Sequence, residues 1–350
     1  MKSIKTLKLF ITIIVSFSSL VNLFAQYNLN NNGFEYSYRN MPSIYVYPEE
    51  RTYYLDYIAT SSIKHIMTSD EVHNRFVLDG WIKQSSPESA AMNISLRSSD
   101  LIVNNISAER HEEKYKDKNG VEQITYWYKG LLNYSISLSG KYTFNDNYYT
   151  AFSKDIKDTY LSKKTFEHYD DAVKFIYNNK ESIINDLITS NIKYLCDGTE
   201  FSIGDKYAYN AKYDRAFFKF ISAKKNPDYE SQQEYKEKLK EVMSNISYKV
   251  DLSVAKELSE PIMIYFQLMA DKYNQTDKKM RKIYIAMIDN MALLSYLIEN
   301  YDDAIKYANI LIEEEEKSGE KLLKKITKEK EEMQVAHATT RHFPIEDINF

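Results

Sequence analysis

The sequence predicts an α+β protein in which an N-terminal, mostly antiparallel β domain precedes a C-terminal all-α domain. Three observations carry that prediction. Gly130 to Phe144 alternates with period two, setting Leu132, Tyr134, Ile136, Leu138, Tyr142 and Phe144 against Asn133, Ser135, Ser137, Ser139, Lys141 and Thr143. Successive strand side chains point to opposite faces, so this is a long strand with one buried and one wet face. Asn119-Gly120 inside the charged stretch HEEKYKDKNG marks a hairpin tip. After Asn226-Pro227 the apolar period changes to that of helices.

Taken in order, residues 26–43 are rich in Asn and read as a flexible leader, with an extended run at Ile44–Tyr47. RTYYLDYIAT, residues 51–60, has the Tyr and Ile content of a strand. Thr68-Ser-Asp-Glu71 matches a capping box and predicts a short helix over Val72–Leu78, ended by Gly80. Ala91–Arg97 alternates again, Leu101–Ile106 is extended, and Val121–Tyr128 returns from the hairpin into the long strand. Tyr169–Ile188 has helical spacing. Ile192–Cys196 and Tyr207–Ile221 read as extended runs split by Asp197-Gly198. They either complete the first sheet or form a small separate unit, and completion is preferred, since a lone hairpin is marginal. The β domain thus spans residues 44–224 and the helical domain 225–350, with helices over 229–246, 259–273, 277–299, 302–316 and 319–336. Ser259 ahead of Glu260-Pro261 is a good helix start, because proline is tolerated in the first turn.

Composition bounds function more than it identifies it. The chain has 350 residues, 27% charged and 43% hydrophobic, which suits folded domains and favours two of them. Residues 1–25 carry Lys2, Lys5 and Lys8, then an apolar run to Phe24 and a cleavage point at Ala25-Gln26, the pattern of a secretory signal peptide. Cleavage removes three lysines and no acids, leaving 43 basic against 50 acidic residues. That balance is no footprint for nucleic acid. No later segment approaches a membrane span. The one cysteine, Cys196, precludes a disulfide within the chain. It lies too far from the cleavage point for an N-terminal lipid anchor. The sequence therefore predicts an exported protein, periplasmic or associated with the outer membrane, and not a lipoprotein.

Residues 288–316, and within them ENYDDAIKYANILIEEEE, resemble one tetratricopeptide repeat. Asn300-Tyr301-Asp302-Asp303-Ala304 matches that family's inter-helix turn and the small residue opening its second helix. Ile288, Ala292, Ala308, Leu311 and Glu316 depart from its usual Trp, Gly, aromatic, Ala and Pro. The match covers one repeat, whereas a solenoid needs about three. A signal ending in FAQ, a β domain with a charged Asn-Gly hairpin and a helical tail also resemble the plan of exported Bacteroidetes proteins, which implies a location and no activity.

The motifs of catalysis are missing from the sequence. The six histidines, His65, His73, His111, His168, His337 and His342, include no pair spaced to share a helix face. His111-Glu112-Glu113 lacks the second histidine of a zinc protease. There is no G-x-S-x-G, G-x-G-x-x-G or P-loop. Asp302 and Asp303 suit a helix first turn, and Glu313–Glu316 with the lysines after it reads as a solvated helical face. The sequence thus predicts no catalytic residue, no metal and no cofactor. Its one candidate ligand contact is the run Tyr126-Trp127-Tyr128, where a Trp exposed between two inward tyrosines could stack on a sugar or a partner chain. The reading is a non-catalytic interaction or scaffold module whose partner is another envelope protein. A carbohydrate-binding module and an envelope-polymer hydrolase are its rivals.

Overall fold

The structure, a computed structural model, describes residues 27–273 and 277–344. The signal segment, residues 1–25, lies outside the described residues. The strands are β1 (Leu29–Arg39), β2 (Thr52–Ile58), β3 (Ile82–Lys83), β4 (Met92–Ser98), β5 (Ile102–Lys116), β6 (Glu122–Phe144), β7 (Asn147–Phe166) and β8 (Ala211–Ile221). The helices are α1 (Ser61–Ile66), α2 (Ser69–Arg75), α3 (Tyr169–Asn178), α4 (Lys180–Tyr207), α5 (Tyr229–Ser244), α6 (Ser253–Tyr273), α7 (Lys278–Leu297), α8 (Tyr301–Glu313) and α9 (Lys317–Val335). The class is α+β, a β region followed by a run of helices. Two compact units result: Val46–Tyr209, and the residues before Val46 together with those from Asn210 onward.

In the first unit, the sheet unit, β6 is the axis. β7 runs along one side of it, and β4 and β5 lie end to end along the other. β2 joins β4, and β3 joins β2, both in parallel. The sheet is therefore mixed, because the chain crosses back through α1 and α2 between β2 and β3. The alternation of β6 holds: Leu132, Tyr134, Ile136, Leu138, Tyr142 and Phe144 are buried. They pack with Leu55, Ile94 and Leu96 of the neighbouring strands and with Ile176, Ile192 and Leu195 of α3 and α4. Gly140, the break in the apolar series, is where Thr199 of α4 crosses the sheet, and a Cβ there would overlap the threonine.

Several local expectations are corrected. The run around Ile192–Cys196 is not extended; it lies within α4, 28 residues long. Gly198 does not break that helix. It lets Phe152 of β7 press against the helix, 2.5 Å from where a Cβ would sit. The helix expected over 169–188 ends at Asn178 and restarts at Lys180. β7 has no simple alternation, because its register shifts opposite Gly140/Lys141 and Lys154, Asp155, Lys157 and Asp158 leave both of its faces charged and exposed. Charges on an edge strand discourage pairing with other chains. The two-residue turn with positive φ at both positions is Asn145-Asp146 (φ 49 and 60), joining β6 to β7. At the other tip only Gly120 has positive φ, and Asp117 closes a longer turn by accepting from Asn119 N and Val121 N. The capping box is present: Thr68 accepts from Glu71 N at 3.2 Å and Glu71 from Thr68 N at 2.7 Å, but the helix is Ser69–Arg75.

In the second unit, the helical unit, β1 and β8 form an antiparallel ribbon from Leu29↔Ile221 to Arg39↔Ala211. Residues 29–39 of the expected leader are thus a strand, and Tyr207–Ile221 does not complete the first sheet. The division expected at 224/225 falls at Tyr209/Asn210. Asn-rich sequence has weak β propensity, and here a partner strand remote in sequence supplies what propensity lacks. Phe218 and Phe220 face Phe266, Met287 and Met291 in the core. Asn290 meets the backbone of Lys219 twice, accepting from its N–H (2.9 Å) and donating to its carbonyl (2.8 Å). Gln232 accepts from Ile221 N at 3.0 Å. Buried amides thereby satisfy a strand edge laid against helices. α5 to α9 each pack on the next. α6 starts at Ser253, not Ser259, and runs through Pro261. Asp251 accepts from Ser253 N at 2.7 Å at its start. The turn between α7 and α8 places Glu299 at φ 57, and the Asn300 side chain caps α8.

Candidate functional site

The helices that cover the sheet stop short of its end. β7 finishes at Phe166, opposite Tyr128, so beyond that point β6 pairs with β5 alone. Residues Glu112–Lys116 and Val121–Tyr126 are exposed on both faces of this two-stranded ribbon. Such a ribbon has no core of its own and is marginal in water. Yet it carries large apolar side chains: Tyr115 is 50% exposed, Ile124 47% and Tyr126 43%. Register puts Ile124 and Tyr126 on one face of the ribbon and Tyr115, opposite Gln123, on the other.

The three aromatic residues predicted from sequence sit at the root of this ribbon. Tyr126 and Tyr128 continue the helix-side face of β6, but only Tyr128 reaches a helix, edge-on to Tyr169 at 6.0 Å. Tyr126 lies beyond the cover, with the Arg110 guanidinium 4.9 Å from its ring. Trp127 points to the face opposite Tyr126 and Tyr128 and is half-buried. Its cross-strand neighbour His111 stacks on the indole, 4.2 Å between centroids and 12° between planes. The Lys129 ammonium is 5.4 Å from the same ring. The expected free stacking platform is thus covered by its own neighbours. Tyr115 and Ile124, which sequence reasoning passed over, are more available. Their signal was an apolar residue surviving in a charged hairpin.

The remaining titratable clusters read as structural. Arg341, His342, Glu299 and Glu329 form a knot in the helical unit. Arg341 Nη1 donates to Glu329 Oε1 at 2.6 Å, and Arg341 N donates to Glu299 Oε1 at 2.9 Å. Tyr296 OH also donates to Glu329. Burial opposes charge on Arg341, but Tyr296, Glu329, Tyr301 and Glu299 outweigh it and raise its pKa. Burial pushes the Glu329 carboxyl up and the His342 imidazole down. In the sheet unit, burial pushes the Cys196 thiol up to about 12 and the Glu200 carboxyl up to about 7. Among the described residues, no group of three or more His, Cys, Asp or Glu side chains is placed to hold a metal, and no helix is long and apolar enough to cross a membrane.

No protein-family model matches the chain. No curated protein matches it either. Among solved structures, it is similar to rare lipoprotein B from Shewanella oneidensis at 11% identity and TM-score 0.20, over 43% of this chain and 96% of that one. It is also similar to a minor lipoprotein from Acinetobacter baumannii at 9% identity and TM-score 0.20, over 42% and 94% of the two chains. A third structure, a putative neuraminyllactose-binding hemagglutinin homolog from Helicobacter pylori, matches at 9% identity and TM-score 0.20, over 46% and 94%.

Proposed function

We propose that the protein is an exported, non-catalytic interaction module of the cell envelope and that the β5–β6 ribbon engages its partner, another envelope protein. The observation that carries this reading is the ribbon itself, a pair of strands with Tyr115, Ile124 and Tyr126 exposed and no element of its unit covering them. Docking would bury apolar area worth about 25 cal/mol per Å² and order a segment that is marginal alone. The signal-like N-terminal sequence supports export. The serial packing of α5 to α9 supports the tetratricopeptide-like reading, with the helical unit as a scaffold.

The test is capture of tagged mature protein, residues 26–350, from envelope extract, beside a variant carrying Tyr115→Ser, Ile124→Ser and Tyr126→Ser. These side chains are exposed, so circular dichroism is expected to be unchanged. A stoichiometric protein captured by the parent and lost by the variant is the expected result. Equal capture by both would overturn the ribbon assignment. Capture of glycan alone would transfer the reading to carbohydrate binding, for which Trp127→Ala is the next variant. Truncation at residue 225 is no usable test, because β1 and β8 would lose the helices they pack on.

A further inference from the structure

The helical unit holds a cleft of about 500 Å³ that the ribbon reading does not use. Ligand pockets fall in the range of roughly 300–1,000 Å³ and combine an apolar lining with a few placed polar groups. Leu29 of β1 and Ile285 and Ala286 of α7 supply the apolar lining here. Lys278, Arg281 and Lys282 form the rim on the same helix. Two of the other lining charges are already answered within the protein: Glu314 by Arg281, and Lys219 by Asp289 at 2.7 Å. Lys278 and Lys282 are exposed and have no ion-pair partner among the described residues. Glu316 stands among the lining residues from beyond α8. The charge is therefore divided, with spare cations on the α7 rim and an acid elsewhere.

Lys278 and Lys282 do not favour the helix they begin. Its first turn contains no acidic residue, and the sequence DKKMRK sets four basic residues in its first five positions. Cations near a helix start oppose its dipole and disfavour the helix. The Asp277 side chain, accepting from Lys279 N and Met280 N, and the pairing of Arg281 with Glu314 offset part of this. A departure from local preference beside a cleft of ligand size is where a function is to be sought.

We infer that this cleft binds an amphipathic anion: a carboxylate or phosphate group held by Lys278 and Lys282, with a short apolar stem lying on Leu29, Ile285 and Ala286. Acyl carboxylates and the phosphate ends of lipids share that chemistry. Arg281 is tied to Glu314 and steers rather than grips. Glu316 repels negative charge carried beyond that head group, so a ligand with one anionic head and one tail fits better than a polyanion with several.

The experiment uses the mature chain and the fluorescent amphipathic anion 8-anilinonaphthalene-1-sulfonate, displaced in turn by octanoate, octyl phosphate, octanol and octylammonium. Displacement by octanoate or octyl phosphate and not by the other two is expected, and which of them is stronger names the source. Lys278→Glu with Lys282→Glu, both at exposed positions, is expected to weaken binding about tenfold and to remove most of its salt dependence. Ile285→Gln is expected to weaken octanoate and leave acetate, itself a poor competitor, unchanged. Equal displacement by octanol would show an apolar patch with no anion site and would overturn the inference. So would affinity that is unchanged in the charge-reversed variant, or full displacement by inorganic phosphate alone.

Discussion

Removing the Arg341 guanidinium tests whether the buried knot is what holds the C-terminal segment to the helical unit. The side chains of Arg341, Glu299 and Glu329 are 4%, 5% and 8% exposed, so solvent screens none of the three. Arg341 also lies over the Tyr38 ring of β1 at 4.5 Å. Arg341→Met keeps the volume and deletes the charge. It leaves two carboxylates buried without their cation, a change that costs about 3–5 kcal/mol. At about 2–4 °C per kcal/mol, the helical unit is expected to melt roughly 6–20 °C lower. Hydrogen exchange over α7–α9 reads this directly. Both tryptophans, Trp81 and Trp127, lie in the sheet unit, so their fluorescence serves as the internal control. Adding Glu299→Gln and Glu329→Gln is expected to restore most of the loss, because neutral amides do not need the cation. A single-variant cost below about 1 kcal/mol would refute the reasoning, since that is the value of an exposed pair.

Three further outcomes follow from the sheet unit. Gly140→Val would drive a branched side chain into Thr199 where α4 crosses β6, and about 1–3 kcal/mol of destabilisation is expected by urea unfolding; a smaller effect would mean that the helix moves freely. The Glu200 carboxyl is raised from 4.5 to about 7 by burial, so the folded state holds its proton more tightly than the unfolded chain. Its contribution is therefore favourable below about pH 4.5 and is lost as pH rises towards about 7, and Glu200→Gln is expected to flatten that decline in a series of melts. Cys196 is buried with its pKa pushed up to about 12, so a thiol reagent at pH 8 is expected to label it only after denaturant is added. Rapid labelling of the native protein would contradict its place beneath the sheet.

What the sequence determined by itself is what depends on neighbours along the chain. The period of two in Gly130–Phe144, the capping box at Thr68, and the helical stripes of residues 229–335 are local patterns, and the structure carries each of them. The aromatic run Tyr126–Tyr128 was legible for the same reason, as was the face to which Trp127 turns. What covers that face was not legible. His111 reaches Trp127 only through the β5–β6 register, and helix cover reaches Tyr128 through Tyr169, 41 positions further along the chain. Tertiary structure also decided the units. Residues 29–39 become a strand because β8 pairs with them, although their asparagines favour coil. Gly198 lies inside a helix although Asp-Gly reads locally as a break, and Phe152 occupies the space its missing side chain leaves. The cleft beside α7 belongs with these: its basic first turn is plain in the sequence, but its lining joins Leu29 to Ile285 across more than 250 residues. Such contacts form when burial of a shared surface outweighs local preference, and the chain shows that surface only once it has folded.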